Sequence, residues 1–113
     1  MVTELFRTID NKDLQGFIAL LAPDCTFRFG NQPAVNGASA IEDYVSGFFG
    51  SIAALSHEIM DSWDVPGGVV CHGRVSYTRQ DGSILTVPFA NILKLSPAGI
   101  ADYRIFADTS QLY

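Results

Sequence analysis

Positive charge is scarce in this chain. Its 113 residues hold seven Lys and Arg against twelve Asp and Glu, a formal net charge of −5. A surface of that sign repels phosphate backbones and gains nothing from anionic lipid, so neither nucleic acid nor membrane is expected as a partner. No apolar run approaches the ~20 residues that a membrane-spanning helix needs. The N-terminal MVTELFRTID has neither the basic region nor the apolar core of a secretory signal, and a cytoplasmic location is expected. Cysteine is almost missing: Cys25 and Cys71 stand without CxxC spacing, each inside an apolar strand pattern, and read as buried free thiols. Histidine occurs only twice. His57 opens the stretch HEIMD, but a zinc protease needs H-E-x-x-H on a helix, and here Asp61 takes the second histidine's place within a segment of strand period. His72 falls on the more polar face of its own strand, and no metal is expected. No glycine-rich loop follows a strand and opens a helix, and no G-x-S-x-G is present; nucleotide binding and serine hydrolysis drop out, and no cofactor is expected.

What the chain does have is bulk. Hydrophobic residues make up 48% of it, with 8 Phe, 4 Tyr and 1 Trp, enough to fill one core but not two, so residues 1–113 read as a single domain. Leu5, Phe6 and Ile9, extended by Val2, give a first helical stripe. In DNKDLQGFIALLAP, Leu14, Phe17, Ile18 and Leu21 follow the i, i+3, i+4, i+7 spacing of a second helix, with Pro23 as its stop. CTFRFG alternates as a strand, and NQPAVNG is a turn region with room for a short strand. Ser39 and Glu42 have the spacing of a capping box ahead of a third helix carrying Ile41, Tyr44, Val45, Phe48 and Ile52. From His57 the period becomes two. His57, Ile59, Trp63 and Val65 are expected on one strand face, Val69, Cys71, Val75 and Tyr77 on another, and RQDGS turns the chain with Gly82 in the left-handed position. A strand around Val87–Leu93 and a last one from Ile100 to about Ala107 follow.

Helices first, then a run of mostly antiparallel strands, define an α+β class in which three helices pack on one face of a strongly curved sheet. Three short helices do not fill such a sheet, and an interior pocket is expected between them. One feature of the alternation points into it. Val87, Phe89 and Leu93 form an apolar face, and Asn91 stands on that same face. A buried amide costs free energy without partners, so Asn91 is either tied to a neighbouring element or meets a ligand in the pocket. The opposite face of that strand, with Thr86, Pro88, Ala90 and Ile92, is apolar for a solvated surface and predicts a homodimer contact.

The order of elements, together with GASAIEDY, SHEI, VSYTRQDGSILTVPFANILKL and GIADYRIFAD, resembles the SnoaL-like branch of the nuclear-transport-factor-2-like superfamily from about Leu5 to Leu112. The resemblance implies a cone-shaped α+β fold, which in that superfamily serves polyketide cyclases, isomerases, epoxide hydrolases, dehydratases and non-catalytic modules alike. Where a ketosteroid isomerase-like site would have its base, tyrosine and buried acid, this chain has Arg28, Leu5 and Asn91. Where a limonene-epoxide hydrolase-like site would have Arg-x-Asp and a second Asp, it has Arg74-Val75-Ser76 and Ile105. Similarity to SnoaL-like cyclases implies an acid/base role for Asp108, and similarity to scytalone dehydratase implies a pocket role for Asn91 assisted by a histidine.

The candidates are therefore His57 and Asp108 for proton transfer, and Asn91, Trp63, Phe89, Tyr103, Tyr77 and Tyr44 for holding a ligand. For each there is a structural alternative: a strand-end histidine, a carboxylate capping a turn, a core amide, a core aromatic. Two functions follow. One is cofactor-independent isomerase, cyclase or dehydratase chemistry on a small, mostly apolar metabolite; the other is a non-catalytic ligand-binding or homodimerisation module of the same fold. Convergence of His57, Asn91 and Asp108 on one cavity would mark the enzyme.

Overall fold

Apolar periodicity in the first half of the chain and alternation in the second produce two layers. The computed structural model describes residues 1–113, with elements α1 (Val2–Asp10), α2 (Leu14–Ala19), β1 (Leu21–Phe29), β2 (Val35–Asn36), α3 (Ala38–Ser51), β3 (Ala54–Val65), β4 (Gly68–Thr78), β5 (Ile84–Ser96) and β6 (Gly99–Ala107). The strands form one six-stranded sheet in the order β2-β1-β6-β5-β4-β3. All neighbours are antiparallel except β1 and β6, which run parallel. The sheet curls around the helices, and the buried core lies between them: Leu5, Phe17, Ile41 and Ile52 from the helical side, Cys25, Cys71, Val75, Leu93 and Tyr103 from the strands. Cys25 and Cys71 are free thiols with no exposed surface.

Three local expectations are corrected. Leu21 is a strand residue: α2 ends at Ala19, and Leu21 pairs with Ile100 of β6. Pro23 then sits inside β1, where the β1–β6 register shifts between Leu21 and Thr26, a place where a missing N–H breaks no ladder bond. The capping box at Ser39 does not form, because α3 starts earlier. Gly37, with φ 90°, is its N-cap, the Ile41 N–H donates to the Gly37 carbonyl, and Ser39 is already helical. The turn at Gly82 has the expected left-handed glycine, φ 89°.

The third correction bears on the site. A bulge between Ile59 and Asp61 shifts the register of β3 against β4. Ahead of it His57 pairs with Val75, which is buried; beyond it Trp63 pairs with Val70 and Asp61 with His72, on the convex face. One extra residue moves every later side chain to the other face. Gly73 lies opposite this irregularity, and a Cβ there would collide with the Glu58 carbonyl. Trp63 is accordingly 51% exposed and stacks on His72, outside any interior pocket. Val65 is exposed with it.

Candidate functional site

The curl of the sheet leaves a cavity of about 40 Å³ against the helices. Its wall is largely aromatic, with Phe27, Phe29, Tyr44, Phe48, Tyr77, Phe89 and Tyr103 among the contributors. Apart from tyrosine hydroxyls, its only polar side chains are those of His57 and Asn91, and no Asp, Glu, Lys or Arg lines it. A ligand here is handled by neutral groups and one imidazole.

His57 reaches the wall from β3 and is fixed on both sides. Its ring packs on Phe6 of α1 and edge-on to Phe89 of β5, with centroids 4.6 and 5.1 Å apart. Its Nδ1 lies 2.6 Å from Asp10 Oδ1, and its backbone N–H donates to Asp10 Oδ2 at 3.0 Å. One carboxylate thus clamps both the main chain and the ring of the same residue. An ionised carboxylate only accepts, so the neutral imidazole carries its proton on Nδ1 and leaves the Nε2 lone pair free. No protein group bonds Nε2. This is the orienting arrangement of a carboxylate behind a histidine base.

Asp10 was not foreseeable from spacing, since it lies 47 residues from His57. Its signal is local: an aspartate at the C-terminal end of α1 opposes the helix dipole. A carboxylate placed against the dipole needs a compensating partner, and His57 provides it.

Asn91 stands on β5 between Cys71 of β4 and Ile105 of β6. It is 2% exposed, and its Oδ1 is buried without any hydrogen-bond partner. The two expected possibilities were a tied core amide and a pocket amide; the side chain is untied and lines the cavity. Tyr77 and Tyr103 line the same cavity, and desolvation holds both phenols well above the ordinary tyrosine range. Tyr44 is raised for the same reason. All three stay neutral and able to donate at physiological pH.

Asp108 does not join this group. The strand ends at Ala107, and Asp108 turns back on its own chain, where Oδ1 accepts from the Ser110 N–H at 3.0 Å. Hydrogen bonds from Ser110 hold the carboxyl below its ordinary range. The residue is exposed and borders a separate surface groove with Asn31 and Gln32. Of the eight residues singled out from sequence, His57, Asn91, Phe89, Tyr103, Tyr77 and Tyr44 line one cavity, while Asp108 and Trp63 lie elsewhere.

A helix-lined, curled sheet enclosing an aromatic cavity is the nuclear-transport-factor-2-like class of fold. Within that class, residues 2–103 match the model of the SnoaL-like domain, and the chain belongs to that family. An NTF2-like protein of unknown function from Burkholderia pseudomallei K96243 superposes with a TM-score of 0.88 at 18% identity, over 98% of this chain and 90% of that one. A protein of ketosteroid isomerase-like fold from Catenulispora acidiphila DSM 44928, solved in complex with trimethylamine, gives 0.85 at 15% identity over 93% and 82% of the two chains. An LEH-like epoxide hydrolase from M. tuberculosis gives 0.83 at 12% identity over 96% and 80%. No curated protein matches the chain in sequence. No helix is long and apolar enough to cross a membrane.

Proposed function

We propose that this protein is a cofactor-independent acid/base enzyme of isomerase, cyclase or dehydratase type, acting in the cytoplasm on a small, mostly apolar metabolite. One observation carries the reading: a histidine in the wall of an aromatic cavity, clamped through Nδ1 by Asp10 at 2.6 Å, with Nε2 unpartnered. His57 takes a proton from a carbon next to a carbonyl. Asp10 holds the tautomer that makes Nε2 the base and stabilises the imidazolium that forms. The negative charge moves to the substrate oxygen, where the neutral donors of Asn91, Tyr77 and Tyr103 can receive it. Returning the proton to another carbon gives isomerisation, attack of the enolate on a second carbonyl gives cyclisation, and loss of a β-hydroxyl gives dehydration.

The test needs no knowledge of the natural substrate. Deuterium exchange at the carbon beside the carbonyl of small cyclic ketones, followed by NMR, should be accelerated by the protein and lost in His57→Gln. A ketone set exchanging at the buffer rate with wild-type protein would defeat the reading.

The second reading is the non-catalytic module, and one observation favours it. The cavity is small beside the ~300–1,000 Å³ of typical ligand pockets. The convex face carries Trp63, Ile92 and Phe106, exposed by 51%, 37% and 51%. A homodimer through that face is compatible with either function. A protein that dimerises and binds ligands but never exchanges a proton is the module.

A further inference from the structure

We infer that Asn91 is a hydroxyl-reading subsite, and that the cavity selects neutral, single-ring compounds bearing a hydroxyl next to a carbonyl. This deepens the proposed function and rests on its cavity, but not on the Asp10–His57 pair.

The inference starts from an unpaid hydrogen bond. Asn91 is 2% exposed, and its Oδ1 is buried with no partner. None of the neighbours of Asn91 donates to its Oδ1. Across the sheet stand Cys71 and Ile105, and along the strand on the same face stand Phe89 and Leu93. Burial raises the Cys71 thiol, and its sulfur accepts from the Asn91 backbone N–H. A polar group left unsatisfied in a folded interior is the exception among native structures and calls for a specific cause. Here the amide lines a cavity, so the missing donor is supplied by whatever occupies it.

The shape of the amide narrows that occupant. A carboxamide presents an acceptor and a donor side by side, and the complementary edge is one donor beside one acceptor. A hydroxyl adjacent to a carbonyl, as in an enolised diketone or a hydroxypyrone, has this edge. Exchanging the amide oxygen and nitrogen reverses the order but leaves the requirement unchanged. The rest of the wall sets the other properties. No Lys or Arg lines the cavity, so a carboxylate or phosphate would be buried without a counter-ion, and the occupant is uncharged. Aromatic side chains dominate the wall, which suits a planar ring. The phenols of Tyr77 and Tyr103, kept neutral by burial, provide further donors for the carbonyl.

The experiment compares two molecules of one shape. Maltol is a one-ring hydroxypyrone; its analogue with methyl in place of the hydroxyl keeps the volume and loses the donor. By calorimetry or ligand-detected NMR on the full chain, wild type should bind maltol at least about tenfold more tightly than the methyl analogue. Asn91→Leu should bring that ratio to about one, and Asn91→Val provides a second apolar replacement should leucine disturb the fold. Asp61→Asn, on the convex face away from the cavity, should keep the wild-type ratio. Equal affinities in wild type, a preference retained in a folded apolar variant, or no binding of maltol at millimolar concentration would overturn the assignment. The outcomes separate from those of the proposed function: proton exchange without hydroxyl preference removes this inference alone, and hydroxyl preference without exchange removes the enzyme alone.

Discussion

The chain's two histidines each meet an aspartate, on opposite faces of one sheet. On the concave face, His57 Nδ1 lies 2.6 Å from Asp10, with the side chains 10% and 27% exposed. On the convex face, His72 Nε2 lies 3.0 Å from Asp61, with the side chains 40% and 57% exposed. The inner pair joins α1 to β3 and is enclosed by Phe6 and Phe89; the outer pair joins adjacent strands and is covered on one side by Trp63. The same two residue types therefore give different things. Water screens and competes for the outer pair. The inner pair keeps one ring nitrogen oriented by a carboxylate that also holds the backbone, and leaves the other nitrogen without a protein partner on a residue that lines the cavity. Environment, not composition, separates a candidate base from a surface contact.

The largest expected effect breaks the inner pair. In Asp10→Asn the amide can turn its NH₂ toward Nδ1, which favours the tautomer with the proton on Nε2 and removes the free lone pair. The exchange rate with small ketones should fall by a factor of about 10²–10⁴. Asp61→Asn should leave that rate unchanged, and so should Asp108→Asn, since Asp108 lies in a surface turn away from the cavity. A loss of comparable size in either control would place the base elsewhere.

A charge on the convex face asks whether the outer pair is as solvated in solution as it is in a single chain. Strand register places Trp63, Val70, Ile92 and Arg104 in one row across the sheet and Asp61, His72, Ala90 and Phe106 in the next. If two copies meet there, Ile92→Lys or Phe106→Glu should convert a dimer into a monomer in sedimentation at micromolar concentration without changing the far-UV spectrum. Wild-type protein that sediments only as a monomer would leave the outer pair a surface contact.

The concave face also predicts a trade of function against stability. Asn91 has no partner to lose, so Asn91→Leu removes a desolvated amide and adds apolar contact among its neighbours. Thermal or urea unfolding should show stabilisation of about 1–3 kcal/mol, the ordinary cost of an unsatisfied buried polar group. A destabilised variant would mean that the Asn91 amide is a structural tie rather than an unsatisfied group.

These residues also mark what was legible beforehand. The layers, the curled sheet and most inward positions follow from periodicity, because a half-buried strand must alternate and a packed helix must carry a stripe. Asn91 stood out for the same reason, as one polar residue in an otherwise apolar alternation. Alternation fails where the register slips. The bulge after Ile59 sent Trp63 outward, and no local pattern in IMDSWDV announces the extra residue. One helix end differs from the periodicity where strand pairing wins, at Leu21, and one helix start lies earlier than the capping-box spacing, at Gly37. Asp10 was invisible because its partner is distant in sequence, and Asp108 was overvalued because a family pattern gives a position along a strand but not the turn that follows it.

The smallest expected effect closes the comparison on its outer half. His72→Gln removes one imidazole from a solvated pair and one stacking partner from an exposed indole. Exposed ion pairs contribute about 0–1 kcal/mol and weaken with salt. Unfolding of His72→Gln should therefore lie within about 1 kcal/mol of wild type at low salt, and the difference should shrink as salt is raised. The inner pair should respond differently to the same titration. Its side chains are largely out of water, so salt should change the effect of Asp10→Asn on exchange far less than it changes the effect of His72→Gln on stability. Parallel salt dependence in the two measurements would mean that water reaches both pairs alike, and the enclosure of His57 would no longer explain any difference between them.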